Sequence, residues 1–243
     1  MDSRASLLGL LDACRTPLAF LFRRRFEQIV PLGYNCETAF RFYRKWGFLD
    51  ASLFAWSSIP AFSRFIPVLA DLDCLGRGKM EFSPHSMMWA CGESGVWFHG
   101  RMKPPHRPSQ EEIDADLADL LGRIRHLRKK FISYATNEKT TLFIFKPRPD
   151  DCASPDFNDN LDALERTLEE LGARNWKLLV ICEKGRLPGM RKGPNRIFRA
   201  LRRFAPNNCV TNPECGDPAG WNLIFTEFAP AKILKKAHTF KFE

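Results

Sequence analysis

The chain of 243 residues has no uninterrupted apolar run near the roughly 18 residues that a membrane-spanning helix needs. Its eight cysteines include no Cys-X-X-Cys pair and no close Cys/His spacing, which argues against a structural zinc site. Internal repeats and low-complexity segments are also missing. With 44% hydrophobic, 27% charged and 12% aromatic residues, the composition excludes a disordered chain and indicates a globular protein.

The amino-terminal segment is a poor match to a signal peptide. Asp12 and Pro17 interrupt its apolar stretch, and the basic cluster at 23–25 follows that stretch instead of preceding it. We therefore expect a cytoplasmic protein with cysteines that remain free thiols. Residues 1–26 are expected to form a helical or poorly ordered extension, which could dock on the domain or touch a membrane surface.

The spacing of apolar residues predicts an α/β fold. The run Gln28 to Gly33 reads as a strand that turns into a helix. Two further apolar strands, 141–146 and 177–182, are joined through a helix closed by Gly172, which is typical of parallel, right-handed βαβ units. A basic helix over 197–204 and a short strand over 208–211 continue the series. We expect one α/β domain over residues 1–243, built on a mostly parallel, doubly wound sheet with helices on both faces.

Three more elements are predicted between the first and second strands. A helix is expected over about 59–72. The segments 87–91 and 96–99 flank a loop of hairpin composition, so a β-hairpin should form an insertion in the sheet or an extension of its edge. Ser109 and Glu112 have the spacing of a capping box, and the amphipathic helix that follows is acidic at its start and basic at its end.

The turn after the first strand carries the candidate chemistry. Ligands of open α/β sheets bind where strands turn into helices, and Gly33-Tyr34-Asn35-Cys36 is such a turn. Cys36 would lie at the positive end of the next helix, which lowers the pKa of a thiol and favours the nucleophilic thiolate. Gly33, Tyr34, Asn35 and Trp56 are candidates for oxyanion or substrate binding. The alternative is a small buried cysteine that fills the junction.

The segments Pro31–Phe42 and Gly47–Trp56 resemble a bacterial family of papain-like cysteine peptidases of unassigned function. Its members carry a Leu-Gly-X-Asn-Cys motif followed by Phe-Asp-Trp, which reads Phe-Ala-Trp here because Ala55 replaces the aspartate. The resemblance implies a thiol nucleophile at Cys36, with His99, which follows an aromatic strand, as general base. A papain-like fold pairs a helical part with an antiparallel barrel, which conflicts with the βαβ pattern of this sequence. A nucleophile directly after the first strand also resembles SGNH-type hydrolases and acetyltransferase-like proteins of polysaccharide biosynthesis.

A third residue that orients the base would be an aspartate. Asp217 is the candidate, with Asp150 and Asp151 as alternatives. His85 and His106, which flank Pro-rich loops, are weaker candidates for the base than the histidine after the aromatic strand.

The net charge of +9 is concentrated in one stretch. Residues 184–203 contain eight basic residues and no acidic one. Arg191, Lys192 and Arg196 are therefore candidates for binding phosphate or another anion. The alternative is an ordinary solvated basic surface.

These observations lead to three expected functions. The first is a cysteine-nucleophile hydrolase, peptidase-like, that forms a thioester at Cys36 on a peptide or acyl substrate without metal or cofactor. The second is a cysteine-dependent acyltransferase of polysaccharide biosynthesis with a glycan acceptor, for which coenzyme A could be the carrier. The third is a non-enzymatic binder of nucleic acid or another anionic polymer through residues 184–203, which ranks lower because no nucleic-acid reading motif is recognised. The absent aspartate at Ala55 leaves a non-catalytic family member as a further option.

Overall fold

The computed structural model describes residues 24–46, 52–103, 107–186, 189–209 and 212–231. Within these ranges, helices and strands follow one another along the chain in the order β1 (Arg24–Phe26), β2 (Gln28–Pro31), α1 (Glu37–Trp46), β3 (Ser57–Ser58), α2 (Phe62–Ala70), β4 (Met80–Ser83), β5 (Met88–Cys91), β6 (Trp97–His99), α3 (Gln110–Thr136), β7 (Thr141–Phe145), α4 (Pro149–Ala153), α5 (Phe157–Glu170), β8 (Trp176–Glu183), β9 (Arg196–Leu201), α6 (Pro218–Glu227) and β10 (Phe228–Pro230).

A parallel sheet of four strands forms the centre, in the order β2-β7-β8-β9. Its register sets Ile29 opposite Leu142 and Phe143 opposite Leu178. All five residues of β7 are buried, because both faces of a parallel sheet are covered. A separate parallel pair joins β1 to β10.

Alternate residues of the central strands point to opposite faces and enter two apolar clusters. On one face, Phe143 and Val180 pack in a cluster with side chains of α2, α3 and α5. On the other, Ile144 and Ile181 pack with side chains of α1 and α6. The predicted α/β class is confirmed. The doubly wound arrangement stays a prediction, since the four described parallel strands follow chain order across the sheet.

A second, antiparallel sheet has the order β3-β6-β5-β4. The predicted hairpin is its β5–β6 pair, with Trp89 opposite Phe98. The hairpin is therefore the middle of a sheet of its own, where an insertion or edge extension of the parallel sheet was expected. Trp89 and Phe98 also belong to the cluster that covers the α2, α3 and α5 face, so this sheet packs on that side of the molecule.

The capping box of the longest described helix is confirmed. The Ser109 hydroxyl accepts from the Glu112 backbone N–H at 3.3 Å, and the Glu112 carboxylate accepts from the Ser109 N–H at 2.7 Å. One turn further, buried Asp116 accepts from the Trp89 indole N–H at 2.6 Å and from the Arg101 backbone N–H at 2.7 Å. These bonds fasten α3 to the antiparallel sheet.

Two predictions near the carboxyl end are wrong. The helix expected over 197–204 is largely strand β9, because Ile197 and its neighbours pair with β8 at the edge of the parallel sheet. Pairing with a neighbouring strand outweighs local spacing, and β9 shows no alternation of buried and exposed residues that would mark it as a strand in the sequence. The short strand expected over 208–211 is replaced by a 3-10 turn at Asn207–Cys209, with residues 210–211 outside the described part.

Two more expectations are corrected by the structure. Cys209 and Cys215 form a disulfide, so these two are not the free thiols that the sequence suggested. Residues 24–26 are a strand where an extension was expected, because Arg24 pairs with Phe228 of β10. Predictions on residues 1–23, Gly47 and His106 lie outside the described residues.

No helix in the described part of the chain is long and apolar enough to cross a bilayer.

Candidate functional site

A cleft of about 490 Å³ opens at the carboxyl edge of the parallel sheet. Its walls come from the segments that follow β2, β7 and β9 and from the last residue of β8, which meet because parallel strands end at the same edge; β3 of the antiparallel sheet adds Ser58. The polar and aromatic side chains that line it are Tyr34, Ser58, Arg148, Asp150, Glu183, Phe204 and Asn207. The cleft therefore lies at the edge where the sequence predicted ligand binding.

The turn between β2 and α1 is held by side-chain amides. The Asn35 oxygen accepts from the Glu37 backbone N–H at 3.2 Å, and the Asn35 NH₂ donates to the Asn207 oxygen at 2.9 Å. The Tyr34 hydroxyl donates to the same Asn207 oxygen at 3.2 Å. Both ends of the Asn35 amide are thus engaged in fixing the turn, which differs from the expected oxyanion role. A Cβ at Gly33 would lie 3.3 Å from the Thr38 hydroxyl, so close packing explains this glycine.

Cys36 lies directly before α1 and is half-buried. The other free cysteines of the described chain are all buried: Cys74, Cys91, Cys152 and Cys182. The pKa of the Cys36 thiol is raised to about 11, mainly by burial and in part by the Glu37 carboxylate, while a backbone hydrogen bond and the Lys146 ammonium oppose the rise. The lowered pKa predicted from the helix position alone is wrong, because burial outweighs the helix end.

A buried ionic cluster lies beside this thiol. Glu37 and Lys146 are both fully buried, and the Lys146 Nζ lies 3.1 Å from the Glu37 Oε2. The Glu37 Oε1 accepts from the Trp221 indole N–H at 3.1 Å and from Arg41 at 3.4 Å. Sequence reasoning missed this cluster; its one signal was a lysine at the end of an apolar strand, followed by proline.

The ammonium of Lys146 lies under the aromatic wall of the cleft. Its Nζ is 4.4 Å from the centre of the Tyr34 ring and 4.3 Å from that of the Phe204 ring, within the range of cation–π attraction. Burial lowers the pKa of Lys146, while Glu37 opposes that change. Burial also raises the pKa of the Tyr34 hydroxyl, and Glu37 adds to it. The buried Lys146–Glu37 pair therefore lies next to two aromatic side chains that line the cleft.

The first turns of α1 are anchored to the segment after β9. Arg41 donates to the backbone carbonyls of Pro213 and Cys215. The Cys209–Cys215 disulfide closes this segment. The turn that carries Cys36 is therefore fixed from two sides, by Asn207 and by Arg41.

The predicted partners of Cys36 make contacts elsewhere. His99 ends β6 in the antiparallel sheet, where its backbone carbonyl accepts from Arg123 of α3. Burial lowers the pKa of His99, and the Arg123 charge adds to this. Asp217 is the N-cap of α6 and accepts from the Gly220 N–H at 3.0 Å. None of these described contacts joins His99 or Asp217 to Cys36.

The remaining sequence candidates have structural contacts or exposed positions. Trp56 packs edge-to-face on Phe40 of α1, with ring centres 4.9 Å apart. The Asp151 carboxylate accepts a hydrogen bond at 3.2 Å from the backbone N–H of Phe62, the first residue of α2, and so stabilises the start of that helix. His85 lies in an exposed turn between β4 and β5.

Much of the predicted anion-binding set is already paired inside the protein. Arg196, whose side chain is fully buried, donates to Asp162 at 2.7 Å and to Glu165 at 2.8 Å. Arg191 also donates to Asp162, whereas Lys192 is exposed. Carboxylates of α5 therefore neutralise the centre of the basic run, and the sequence could not show this because they lie some 30 residues earlier in the chain.

Within the described ranges, no group of three or more His, Cys, Asp or Glu side chains is placed to hold a metal ion. Comparison with protein-family models, with curated proteins and with solved structures gives no match. The resemblance to the papain-like peptidase family therefore stays a prediction, and the function must be argued from the site.

Proposed function

We propose that this chain is a thiol-dependent acyl hydrolase with Cys36 as nucleophile and the cleft at the carboxyl edge as substrate site. One observation carries the proposal. Among the free cysteines of the described chain, Cys36 alone is half-buried; it lies directly before α1 and two residues after Tyr34, which lines this cleft. Nucleophiles of open α/β enzymes occupy this position, because the strand end fixes the turn and the helix end stabilises negative charge.

In the proposed reaction, the Cys36 sulfur attacks the carbonyl carbon of the bound acyl group. In the first turn of α1 the Glu37 N–H already donates to Asn35, so the backbone N–H groups of Thr38 and Ala39, which have no partner within the helix, are the ones proposed to bind the developing oxyanion. As the thioester forms, the bond from the carbonyl carbon to the leaving amine or alcohol breaks, and the leaving group takes up, through solvent, the proton that the Cys36 thiol released. Water then attacks the thioester, the C–S bond breaks, and the carboxylic acid leaves while the thiol is restored.

The thiol of Cys36 must lose its proton before it attacks. No contact of His99 within the described part of the chain supports the role of general base predicted for it, whereas the Lys146 ammonium opposes the rise in the pKa of the Cys36 thiol. The proposal therefore assigns stabilisation of the thiolate to Lys146. Since burial holds the pKa of Cys36 near 11, activity should increase as the pH rises above neutral.

Acyl transfer to a glycan is the second candidate, and the lining of the cleft favours it. Tyr34 and Phe204 offer ring faces, while Asp150, Glu183 and Asn207 offer hydrogen-bonding groups around them. Flat apolar faces with a few placed polar groups suit a sugar, whose hydroxyls would accept the acyl group. Coenzyme A as the acyl carrier stays a prediction of this alternative.

The test is the capture of an acyl group on Cys36. The protein is incubated with p-nitrophenyl acetate at pH 9, and the acylated cysteine is identified by mass spectrometry. We expect acylation at Cys36 in the wild type and in the control Cys74→Ala, and none at that position in Cys36→Ser together with loss of ester turnover. Full turnover in Cys36→Ser, with an unchanged circular dichroism spectrum, would overturn the proposal.

The rate at which the thioester decays, with and without added sugars, distinguishes the hydrolase from the acyltransferase. If the chain is a hydrolase, the thioester decays at a rate that added sugars leave unchanged. If it is a transferase, a polyhydroxylated acceptor accelerates the decay, and the acylated sugar appears in the supernatant.

A further inference from the structure

The disulfide between Cys209 and Cys215 closes a short loop that continues one wall of the cleft. We call residues 209–215 the disulfide loop; the structure describes 209 and 212–215 of it. Residues 204–207 line the cleft and end two positions before Cys209. On the other side of the loop, Gly216 lies so close to this wall that a Cβ on it would be 2.8 Å from the Ala205 nitrogen. The cleft wall and the disulfide loop are therefore packed against each other.

Four hydrogen bonds join this wall and the disulfide loop to the turn that carries Cys36 and to the helix that follows it. The Asn207 side-chain oxygen accepts from the Tyr34 hydroxyl at 3.2 Å and from the Asn35 amide at 2.9 Å. Arg41 of α1 donates to two backbone carbonyls of the disulfide loop, those of Pro213 and Cys215. The partners are far apart in the chain, so these bonds exist only while the disulfide loop keeps its place beside α1.

The disulfide loop has few other anchors. Asn212, Pro213 and Glu214 are exposed, and no described residue of the loop belongs to either apolar cluster. Its own backbone hydrogen bonds are local turns, from the Asn212 N–H to the Cys209 carbonyl at 2.9 Å and from the Cys215 N–H to the Asn212 carbonyl at 3.1 Å. The place of the loop therefore depends on the covalent link between its ends and on the bonds of Arg41.

A reagent in solution can reach this disulfide. Cys209 and Cys215 are both half-buried, and thiol–disulfide exchange requires that an attacking thiolate has access to a sulfur. Five other described cysteines are free thiols, and four of these are buried. In the described part of the chain, a mild reductant therefore has this one disulfide to act on.

We propose that the Cys209–Cys215 pair is a thiol–disulfide switch that controls the geometry of the cleft and of the turn carrying Cys36. A dithiol opens the disulfide: its thiolate attacks one cysteine sulfur, the S–S bond breaks, and the other cysteine leaves as a thiolate that takes up a proton. The second thiol of the reductant then attacks the mixed disulfide and releases the remaining cysteine as a thiol. In sum, the dithiol gives up two electrons and two protons and becomes a disulfide, while the protein gains two thiols.

The two redox states differ in how firmly the turn is held. In the disulfide state, Asn207 and the loop carbonyls fix Asn35 and Arg41 from two sides. In the dithiol state the ends of the loop separate, and the groups that hold the turn lose their fixed positions. Reduction should therefore lower the activity of the site. This consequence for activity rests on the proposed function of Cys36, whereas the loosening of the turn does not.

The first experiment reads the redox state. The full-length protein, purified without reductant, is alkylated with iodoacetamide before and after treatment with dithiothreitol under native conditions. Both cysteines lie in one tryptic peptide, residues 204–232, which mass spectrometry should find unalkylated before reduction and doubly alkylated after it. Circular dichroism checks that the reduced protein remains folded.

Hydrogen–deuterium exchange then reports on the turn. We expect the backbone amides of residues 33–38 to exchange about tenfold faster after reduction, as the loss of one or two anchoring hydrogen bonds predicts. The antiparallel sheet over residues 80–99 should exchange at an unchanged rate and is the internal control. Since exchange does not depend on chemistry at Cys36, failure of this proposal is distinguishable from failure of the proposed function, which Cys36→Ser decides.

A double variant, Cys209→Ser with Cys215→Ser, represents the reduced state without any reductant. It should show the faster exchange of the reduced wild type, dithiothreitol should change it no further, and its turnover of p-nitrophenyl acetate should be lower than that of the wild type.

Several outcomes would overturn the proposal. One is that reduction leaves the exchange of residues 33–38 unchanged, and another is that the disulfide resists dithiothreitol until the chain unfolds. A third is that both cysteines are alkylated before reduction and oxidised glutathione does not join them. If Cys36→Ser abolishes ester turnover while the double variant keeps the full rate, the pair does not regulate the site, and the proposal is overturned as well.

Discussion

Replacement of Lys146 by Met tests whether the buried ionic cluster holds the site together. The substitution keeps a long apolar side chain between the rings of Tyr34 and Phe204 but removes the ammonium that pairs with Glu37 at 3.1 Å. Glu37 would then stay buried and keep Arg41 and Trp221 as its described partners.

The expected loss of stability follows from burial. Removal of one partner from a buried ion pair costs about 3–5 kcal/mol, because the other charge is left uncompensated in a medium of low polarity. Since Glu37 keeps two of its partners, we expect a loss at the lower end, about 3 kcal/mol, for Lys146→Met. Glu37→Gln should cost at least as much, because Lys146 has no other carboxylate among its described contacts.

The assay is urea unfolding followed by tryptophan fluorescence, with the free energy of unfolding extrapolated to water. Lys79→Met is the matched control, because Lys79 pairs with Glu81 at 3.0 Å but with 81% of its side chain exposed. An exposed pair is screened by water, so this control should leave the free energy of unfolding almost unchanged.

A double-mutant cycle tests whether the loss of stability comes from the interaction between the Glu37 and Lys146 side chains. If the charges interact, Glu37→Gln combined with Lys146→Met should be less destabilising than the sum of the single variants by about 2 kcal/mol. The reasoning is refuted if Lys146→Met matches the control, or if the two single effects add without any interaction energy.

Three further predictions concern single positions. Because burial raises the pKa of Cys36 to about 11, its alkylation by iodoacetamide at pH 7 should be about 300-fold slower than that of an ordinary thiol, and should gain about tenfold per pH unit up to pH 10. A rate that is constant above pH 8 would contradict this. Asp116→Ala should lower the free energy of unfolding by about 2–3 kcal/mol, since the buried indole N–H of Trp89 loses its acceptor. Asp114→Ala is the comparison, because Asp114 is exposed on the same helix. Gly216→Ala should destabilise the fold by more than about 1 kcal/mol, because Gly216 has φ +74° and a Cβ would lie 2.8 Å from the Ala205 nitrogen, and an unchanged melting temperature would show that this segment can move aside.

Local sequence patterns were sufficient for elements whose contacts are regular. The apolar run 141–145 correctly predicted a buried strand, and Ser109 with Glu112 correctly predicted the start of α3. Both signals depend only on neighbours a few residues away in the chain. The same patterns failed at β9, whose strand character comes from pairing with β8.

For the candidate site too, the position of Cys36 could be predicted from local sequence, whereas its surroundings could not. The sequence by itself determined that Cys36 follows a strand and precedes a helix, which is enough to place it at the carboxyl edge of a parallel sheet. Only the tertiary structure decided what surrounds it: Lys146 and Trp221 arrive from distant segments to meet Glu37, while His99 remains in the other sheet. The physical reason is that the charge and burial around a thiol depend on contacts between residues far apart in the chain, and these set its pKa more strongly than the helix that follows it.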